Sequence, residues 1–161
     1  PWGCLLLIFV GFGFAKPVRV NNYAVTRKTK AGMMLVALAG PLANLLLAII
    51  AAILLRSGLI RNVQPFGISW LPRPGYFLSQ FIWTNLSLLV FNLVPLYPLD
   101  GEKVLGYFIP DSFRGTWQMI QAHGTQILMI CFFVLPYLHI NFAQSFVSNL
   151  SYRLYLLLLN R

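Results

Sequence analysis

An uncharged run of 25 residues, at positions 31–55, limits what this chain can fold into more than any other feature of its sequence. A helix rises about 1.5 Å per residue, so roughly 20 apolar residues suffice to cross the hydrocarbon core of a bilayer. The first half of the run is rich in glycine and alanine, which let another helix approach closely. The run therefore predicts a transmembrane helix that packs against neighbouring helices.

The composition of the whole chain favours the same class of protein. Hydrophobic residues occupy 58% of the 161 positions and charged residues only 9%, whereas soluble domains carry about 25% charged residues. Too few polar side chains are present to cover the surface of a soluble domain. Because the length is that of one domain, we expect residues 1–161 to form a single membrane-embedded domain.

Further uncharged segments indicate that the chain crosses the bilayer more than once. Residues 3–15 form a run too short for a complete span, and residues 74–99 form a second long one. Two more apolar stretches lie at 124–135 and 142–159, and residues 136–141 break the chain between them. We expect an all-α polytopic fold with three to four transmembrane helices.

One segment departs from the helical pattern. In residues 16–30, Val18 and Val20 alternate with polar residues and are followed by Asn21 and Asn22. Alternation followed by turn-forming residues predicts a short strand and turn at the membrane surface.

The basic residues are spread between the apolar runs. The formal net charge is +9, from 12 Lys and Arg against three acids. A protein that binds nucleic acid would gather its cations on one solvated face, so we expect lipid headgroups and no nucleic acid as the anionic partner. Five cations lie in residues 16–30 and three in residues 56–73. The positive-inside bias then predicts that the first of these two loops lies in the cytoplasm. The Asp100 end of the segment that follows the second loop is expected on the cytoplasmic side as well.

The cysteines and histidines show no disulfide or metal pattern. Cys4 and Cys131 lie in apolar runs and are typical of small buried hydrophobes. His123 and His139 lack the spacing of a helical metal motif, and we expect both to be interfacial residues.

Asp100 is the strongest candidate for a functional polar residue. It follows Pro95 and Pro98, which lack an N–H and so loosen a helix. A carboxylate at membrane depth costs about 3 kcal/mol on insertion scales, so such a residue usually has a partner or a function. Unwound backbone at that depth is tolerated only inside protein or beside water. One interpretation is a wet pocket that receives Asp100, with Asn92 satisfying some of the freed backbone groups.

The other interpretation is that Asp100 simply ends a helix at the interface, beside Glu102 and Lys103. The residues alone leave both interpretations open.

A second irregular segment, GPLAN at residues 40–44, lies inside the first long run. Pro41 is expected to kink the helix, and Gly40 to allow close packing. Asn44 offers an amide inside the membrane, which either bridges helices or contacts a substrate.

Taken together and in this order, these segments resemble the site-2 protease family of intramembrane zinc metalloproteases. GPLAN is similar to the family's GPxxN helix. NLVP at residues 92–95, followed by LDG at 99–101, is similar to its NxxP…LDG motif. GFAKPV at residues 13–18 is similar to the GxxKPV segment that precedes these motifs in many bacterial members. The resemblance covers residues 1 to about 105.

The resemblance implies roles for individual residues. In that family two His of an HExxH helix and the Asp of LDG hold zinc, and the Glu acts as general base. Asp100 would then be a zinc ligand, and Asn44, Asn92, Pro95 and Gly101 would shape the site or bind the substrate backbone. Three protein ligands leave a fourth zinc position for water.

The 161 residues contain no HExxH, so we expect no catalytic residue within this chain and no proteolysis by it alone. Because the chain begins with Pro1 and not with Met, we expect it to be the C-terminal part of a longer protease. The expected function is zinc-dependent cleavage of membrane-embedded protein substrates. The alternatives are a non-catalytic membrane scaffold or accessory subunit, and a transporter that uses Asp100 as a proton or cation site.

Overall fold

The computed structural model describes residues 31–60 and 73–159. The chain divides into two compact units, Pro1–Gly32 and Met33–Arg161, and nearly all of the described residues belong to the second. The regular structure of the described residues is helical throughout, as predicted, and contains no strand. The strand and turn predicted for residues 16–30 lie outside the described residues.

The chain forms α-helices of very different lengths in the described ranges. They are α1 (Gly32–Arg56), α2 (Pro74–Asn92), α3 (Asp100–Phe108), α4 (Arg114–Ala122), α5 (Gly124–Met129), α6 (Leu135–Tyr137) and α7 (Phe142–Leu159). A 3-10 turn (Asp111–Phe113) precedes α4, and a π-helical segment (Ile130–Val134) joins α5 to α6.

The helix α1 matches the uncharged run at residues 31–55 to within one residue at each end. Pro41 lies inside it and is fully buried. Large apolar side chains on other faces, such as Leu46 and Ile53, are more than half exposed. Exposure of this kind over a whole helix is expected where the surroundings are lipid or another protein.

Length and hydropathy allow one of the described helices, α1, to cross a membrane. The runs Asp111–Ala122 and Gly124–Tyr137 add a second span only if they count as one, because they are bent by 55° relative to each other. More polar side chains lie along α2 and α7, which do not reach the same hydropathy. The described residues therefore support one or two spans, and the larger number expected from the sequence stays a prediction.

The core of the second unit joins α1, α2 and α7. Its buried members are Ala48, Ala51 and Ala52 of α1 and Ile82, Leu86 and Leu89 of α2. Leu154 and Leu158 of α7 pack against this cluster. Among the described helices, α2 packs most extensively against α7, and the alanine side chains of α1 are buried in the same cluster.

The two buried polar side chains of this region are satisfied by their own helices. Asn85 donates to the carbonyl oxygen of Phe81 at 2.8 Å, and the hydroxyl of Ser151 donates to that of Val147 at 2.7 Å. Since buried polar groups need a partner, these bonds allow both residues to lie in an apolar core.

Candidate functional site

The backbone that leads to Asp100 is irregular, as predicted. The helix α2 ends at Asn92, well before residue 99, where the uncharged run ends. Pro95 disfavours a helical conformation of the residue before it and offers no N–H of its own. The chain continues in successive turns, in which the N–H groups of Leu96 and Leu99 donate to the carbonyl oxygens of Val94 and Leu96, both at 2.8 Å.

Asp100 is the first residue of α3, so it begins a helix and does not end one. It is half-buried, and its Oδ2 lies 3.1 Å from the point that a Cβ on Gly40 would occupy. This contact joins the GPLAN segment of α1 to the LDG segment, which are distant in the sequence. Among the described residues, no hydrogen bond or ion pair engages the Asp100 carboxylate.

Gly101 is buried against the turn that follows α2. A Cβ at this position would collide with the carbonyl oxygens of Leu93 and Val94. Only a residue without a side chain lets α3 start this close to that turn. Gly101 therefore fixes the position of the helix that carries Asp100.

The expectation that Asn92 satisfies the freed backbone groups is wrong. Its Nδ2 donates to the carbonyl oxygen of Leu88 at 2.9 Å, within α2 itself. Two backbone groups of the unwound turn pair instead with Gln121 of α4. Its Oε1 accepts a hydrogen bond from the N–H of Tyr97 at 2.7 Å, and its Nε2 donates to the carbonyl oxygen of Pro95 at 3.2 Å.

Sequence reasoning missed Gln121. Two nearby prolines signal that some backbone group lacks its helical partner, but nothing in the sequence says which side chain, 24 and 26 residues further on, supplies one.

The other candidate residues lie in separate parts of the described fold. Asn44 lies on α1, one turn after Gly40, and is half-buried. The Nδ1 of His123, the residue that follows α4, is 3.1 Å from the carbonyl oxygen of Met119, within hydrogen-bonding distance. His139 sits in the turn before α7 with a φ of 63°. Neither histidine joins Asp100 in a cluster of metal ligands within the described residues.

The side chains that the described residues bring together can be compared with the ligands that a zinc ion needs. No group of three or more His, Cys, Asp and Glu residues among those described could hold a metal. A catalytic zinc needs three protein ligands, so the described residues do not form a zinc site by themselves. A half-buried carboxylate without another partner among these residues does fit one ligand position in a larger set.

An apolar cavity of about 660 Å³ lies between α1, α2, α7 and the π-helical segment. Leu45, Leu89, Phe132 and Phe146 are among its lining residues, and the lining reaches Pro95 and Leu96 of the turn before Asp100. Its walls are almost entirely carbon, so it suits an apolar occupant.

Fold and site together define a helical protein with a membrane-length helix and a carboxylate presented where a helix is broken. Comparison with known proteins gives one similar protein whose printed name includes an enzymatic activity. The chain is 35% identical over 136 residues to the Bacillus subtilis (strain 168) protein named "Putative zinc metalloprotease YwhC".

The similar region covers 82% of this chain but only 59% of the Bacillus protein. The chain thus spans less than two thirds of the relative's length. No family model matches the chain, and no solved structure matches it.

Proposed function

We propose that this chain is part of a zinc-dependent intramembrane metalloprotease of the site-2 protease type, which cleaves membrane-embedded protein substrates. The contact between Gly40 and Asp100 carries the proposal. It brings together two segments that each resemble a motif of that family. The printed name of the similar Bacillus protein, "Putative zinc metalloprotease YwhC", also supports it.

Asp100 is one zinc ligand in this proposal, and residues outside the described ranges supply the others, on an HExxH helix of the parent protein. When bound, zinc supplies a Lewis acid that polarises the scissile carbonyl group. Gly40 leaves room for the carboxylate, and Gly101 holds α3 against the preceding turn.

Two amides are suited to hold a substrate backbone. The side-chain oxygen of Asn92 remains an acceptor after its nitrogen has donated to Leu88. Asn44 offers a donor and an acceptor on α1, one turn from Gly40. A peptide that is extended for cleavage inside a membrane exposes unpaired N–H and C=O groups, and these amides can pair with them.

The apolar cavity supports a substrate that is itself membrane-embedded. Its lining ends at the turn before Asp100, so an apolar segment in the cavity would lie close to the carboxylate. We further propose a multi-pass protein in a lipid bilayer, with the Asp100 end on the cytoplasmic side. The many exposed large apolar side chains of α1, α2 and α7 support this placement.

The test is a search for cleavage that depends on Asp100. Native cells carrying the parent protein as wild type, D100N or D111N would be compared by labelling and sequencing the N-termini of their membrane proteins. We expect new termini inside apolar segments of a few membrane proteins in wild type and D111N, and their loss in D100N. Asp111 is the matched control because it is exposed and paired with Arg114 at 2.7 Å.

Two results would reject proteolysis. If the cells need the protein, D100N still meets that need, and no new termini appear in any strain, the scaffold is favoured. Asp100-dependent flux of protons or cations without zinc would favour the transporter.

A further inference from the structure

The turn that leads to Asp100 is held from α4 by one side chain. Gln121 pairs with both the N–H of Tyr97 and the carbonyl oxygen of Pro95. Neither backbone group has another partner among the described residues. A side-chain amide carries both a donor and an acceptor, so it can replace a neighbouring stretch of backbone.

A second contact holds the same segment. Gly124, at the start of α5, is buried against Tyr97. A Cβ on Gly124 would lie 2.8 Å from the carbonyl oxygen of Tyr97 and 2.9 Å from its nitrogen. The bend of 55° between Asp111–Ala122 and Gly124–Tyr137 falls at this point. The junction of α4 and α5 therefore contacts the turn in two ways. The side chain of Gln121 forms hydrogen bonds with it, and the backbone of Gly124 packs directly against it.

We propose that Gln121 is a positioning residue for Asp100. By holding residues 95–97, it fixes the point at which α3 begins and so keeps the Asp100 carboxylate beside Gly40. The connection is short, because the N–H of Leu99 donates to the carbonyl oxygen of Leu96 immediately before the helix. The proposal rests on the proposed function for what Asp100 does, but its geometry can be tested without metal.

The test measures how readily positions 40 and 100 are cross-linked in the parent protein. G40C and D100C would be combined in a background whose other cysteines are replaced by serine. The Asp100 oxygen lies 3.1 Å from the Cβ position at residue 40, so cysteines at the two positions should lie within reach of a short bifunctional thiol reagent.

We expect rapid cross-linking, slowed about tenfold by Q121M, which fills similar space without either hydrogen bond. Q121E keeps an acceptor for Tyr97 but no donor for Pro95, and should give an intermediate rate.

Q118M is the matched control, since Gln118 lies exposed on the same helix. It should cross-link as fast as the background protein. Equal rates for Q121M and Q118M, at equal helix content by circular dichroism, would overturn the proposal. If Q121M fails to fold, Q121E against Q118E makes the same comparison.

Zinc binding separates this proposal from the proposed function. If cross-linking depends on Gln121 while the wild-type parent protein, which keeps Asp100, binds no zinc, the protease is rejected and the positioning role stays intact. Where zinc is bound, Q121M should lower its affinity about ten- to hundredfold, as expected for a residue that orients a ligand.

Discussion

The missing side chain of Gly40 keeps open the space that the Asp100 carboxylate fills. The distance of 3.1 Å from Oδ2 to the Cβ position is tighter than ordinary van der Waals contact. An added methyl group must therefore displace the carboxylate by a few tenths of an ångström, and a branched side chain by more. Metal ligands must be held to within about 0.5 Å of their working geometry, so such a shift matters.

We predict that G40A lowers the zinc affinity of the parent protein about tenfold and that G40V lowers it further. Competition with a chelator measures the affinity, and thermal unfolding checks that the protein remains folded. G115A is the control, because a Cβ on Gly115 meets nothing within 4 Å. Zinc binding by G40V as tight as that of G115A would contradict the contact.

Gly101 acts on the backbone and not on the carboxylate. We predict that G101A destabilises the protein by about 1–3 kcal/mol, the usual cost of forcing an extra group into a packed site. G115A should instead be neutral or stabilising by up to about 1 kcal/mol, since alanine favours a helix interior. Unfolding titrations of the two variants measure the difference. Equal free energies of unfolding would show that the turn after α2 can move aside at no cost.

The sequence revealed residues whose unusual neighbours lie next to them in the chain. It did not reveal residues whose partners lie far away in the sequence. Asp100 and Gly101 stand out because their neighbours along the chain are unusual. The hydrogen bonds of Gln121 join α4 to a turn more than 20 residues earlier, and only the folded chain brings these groups together. Asn92 was assigned the wrong partner although its bond is local, to the carbonyl oxygen of Leu88 four residues earlier.

At the scale of the elements, the ends of the helices depend on proline more than on hydropathy. Residues 74–99 are uncharged, yet α2 ends at Asn92 because Pro95 and Pro98 cannot continue it. The break expected at residues 136–141 is confirmed, since α6 ends at Tyr137 and α7 begins at Phe142.

Pro136 also leaves the carbonyl oxygen of Phe132 without its usual helical donor. Gln144 of α7 donates to that oxygen at 3.4 Å. A glutamine thus meets a carbonyl near a proline at two places in the described fold. The π-helical segment just before Pro136 was not predicted, since no feature of the sequence alone signals it.

The packing of α1, α2 and α7 predicts that two leucines of α2 differ in how much stability is lost when each is replaced by alanine. Leu86 is fully buried in the three-helix cluster, whereas Leu88 is 43% exposed. We predict that L86A costs about 2–5 kcal/mol, because it removes packing and leaves a cavity. L88A should cost about 0.5 kcal/mol or less. Unfolding in a detergent titration measures both, and similar losses would mean that α2 does not use the assigned face.

At the scale of the whole molecule, the helical class and the longest span could be predicted from composition and run length. The number of spans could not, because α2 and α7 mix apolar and polar side chains. Of the proposed zinc site, the sequence motifs point to one ligand, Asp100. Our proposal assigns the other ligands to residues outside the described ranges, and the described residues by themselves hold no group of metal ligands.

Zinc content of the purified parent protein tests the central claim most directly. We predict about one zinc per molecule in the wild type and in D111N, since Asp111 is exposed and paired with Arg114. D100N should lose most of its zinc while keeping its helix content, because an amide is a poor replacement for a carboxylate ligand. Equal zinc in D100N and D111N, or none in the wild type, would contradict the assignment of Asp100 as a zinc ligand.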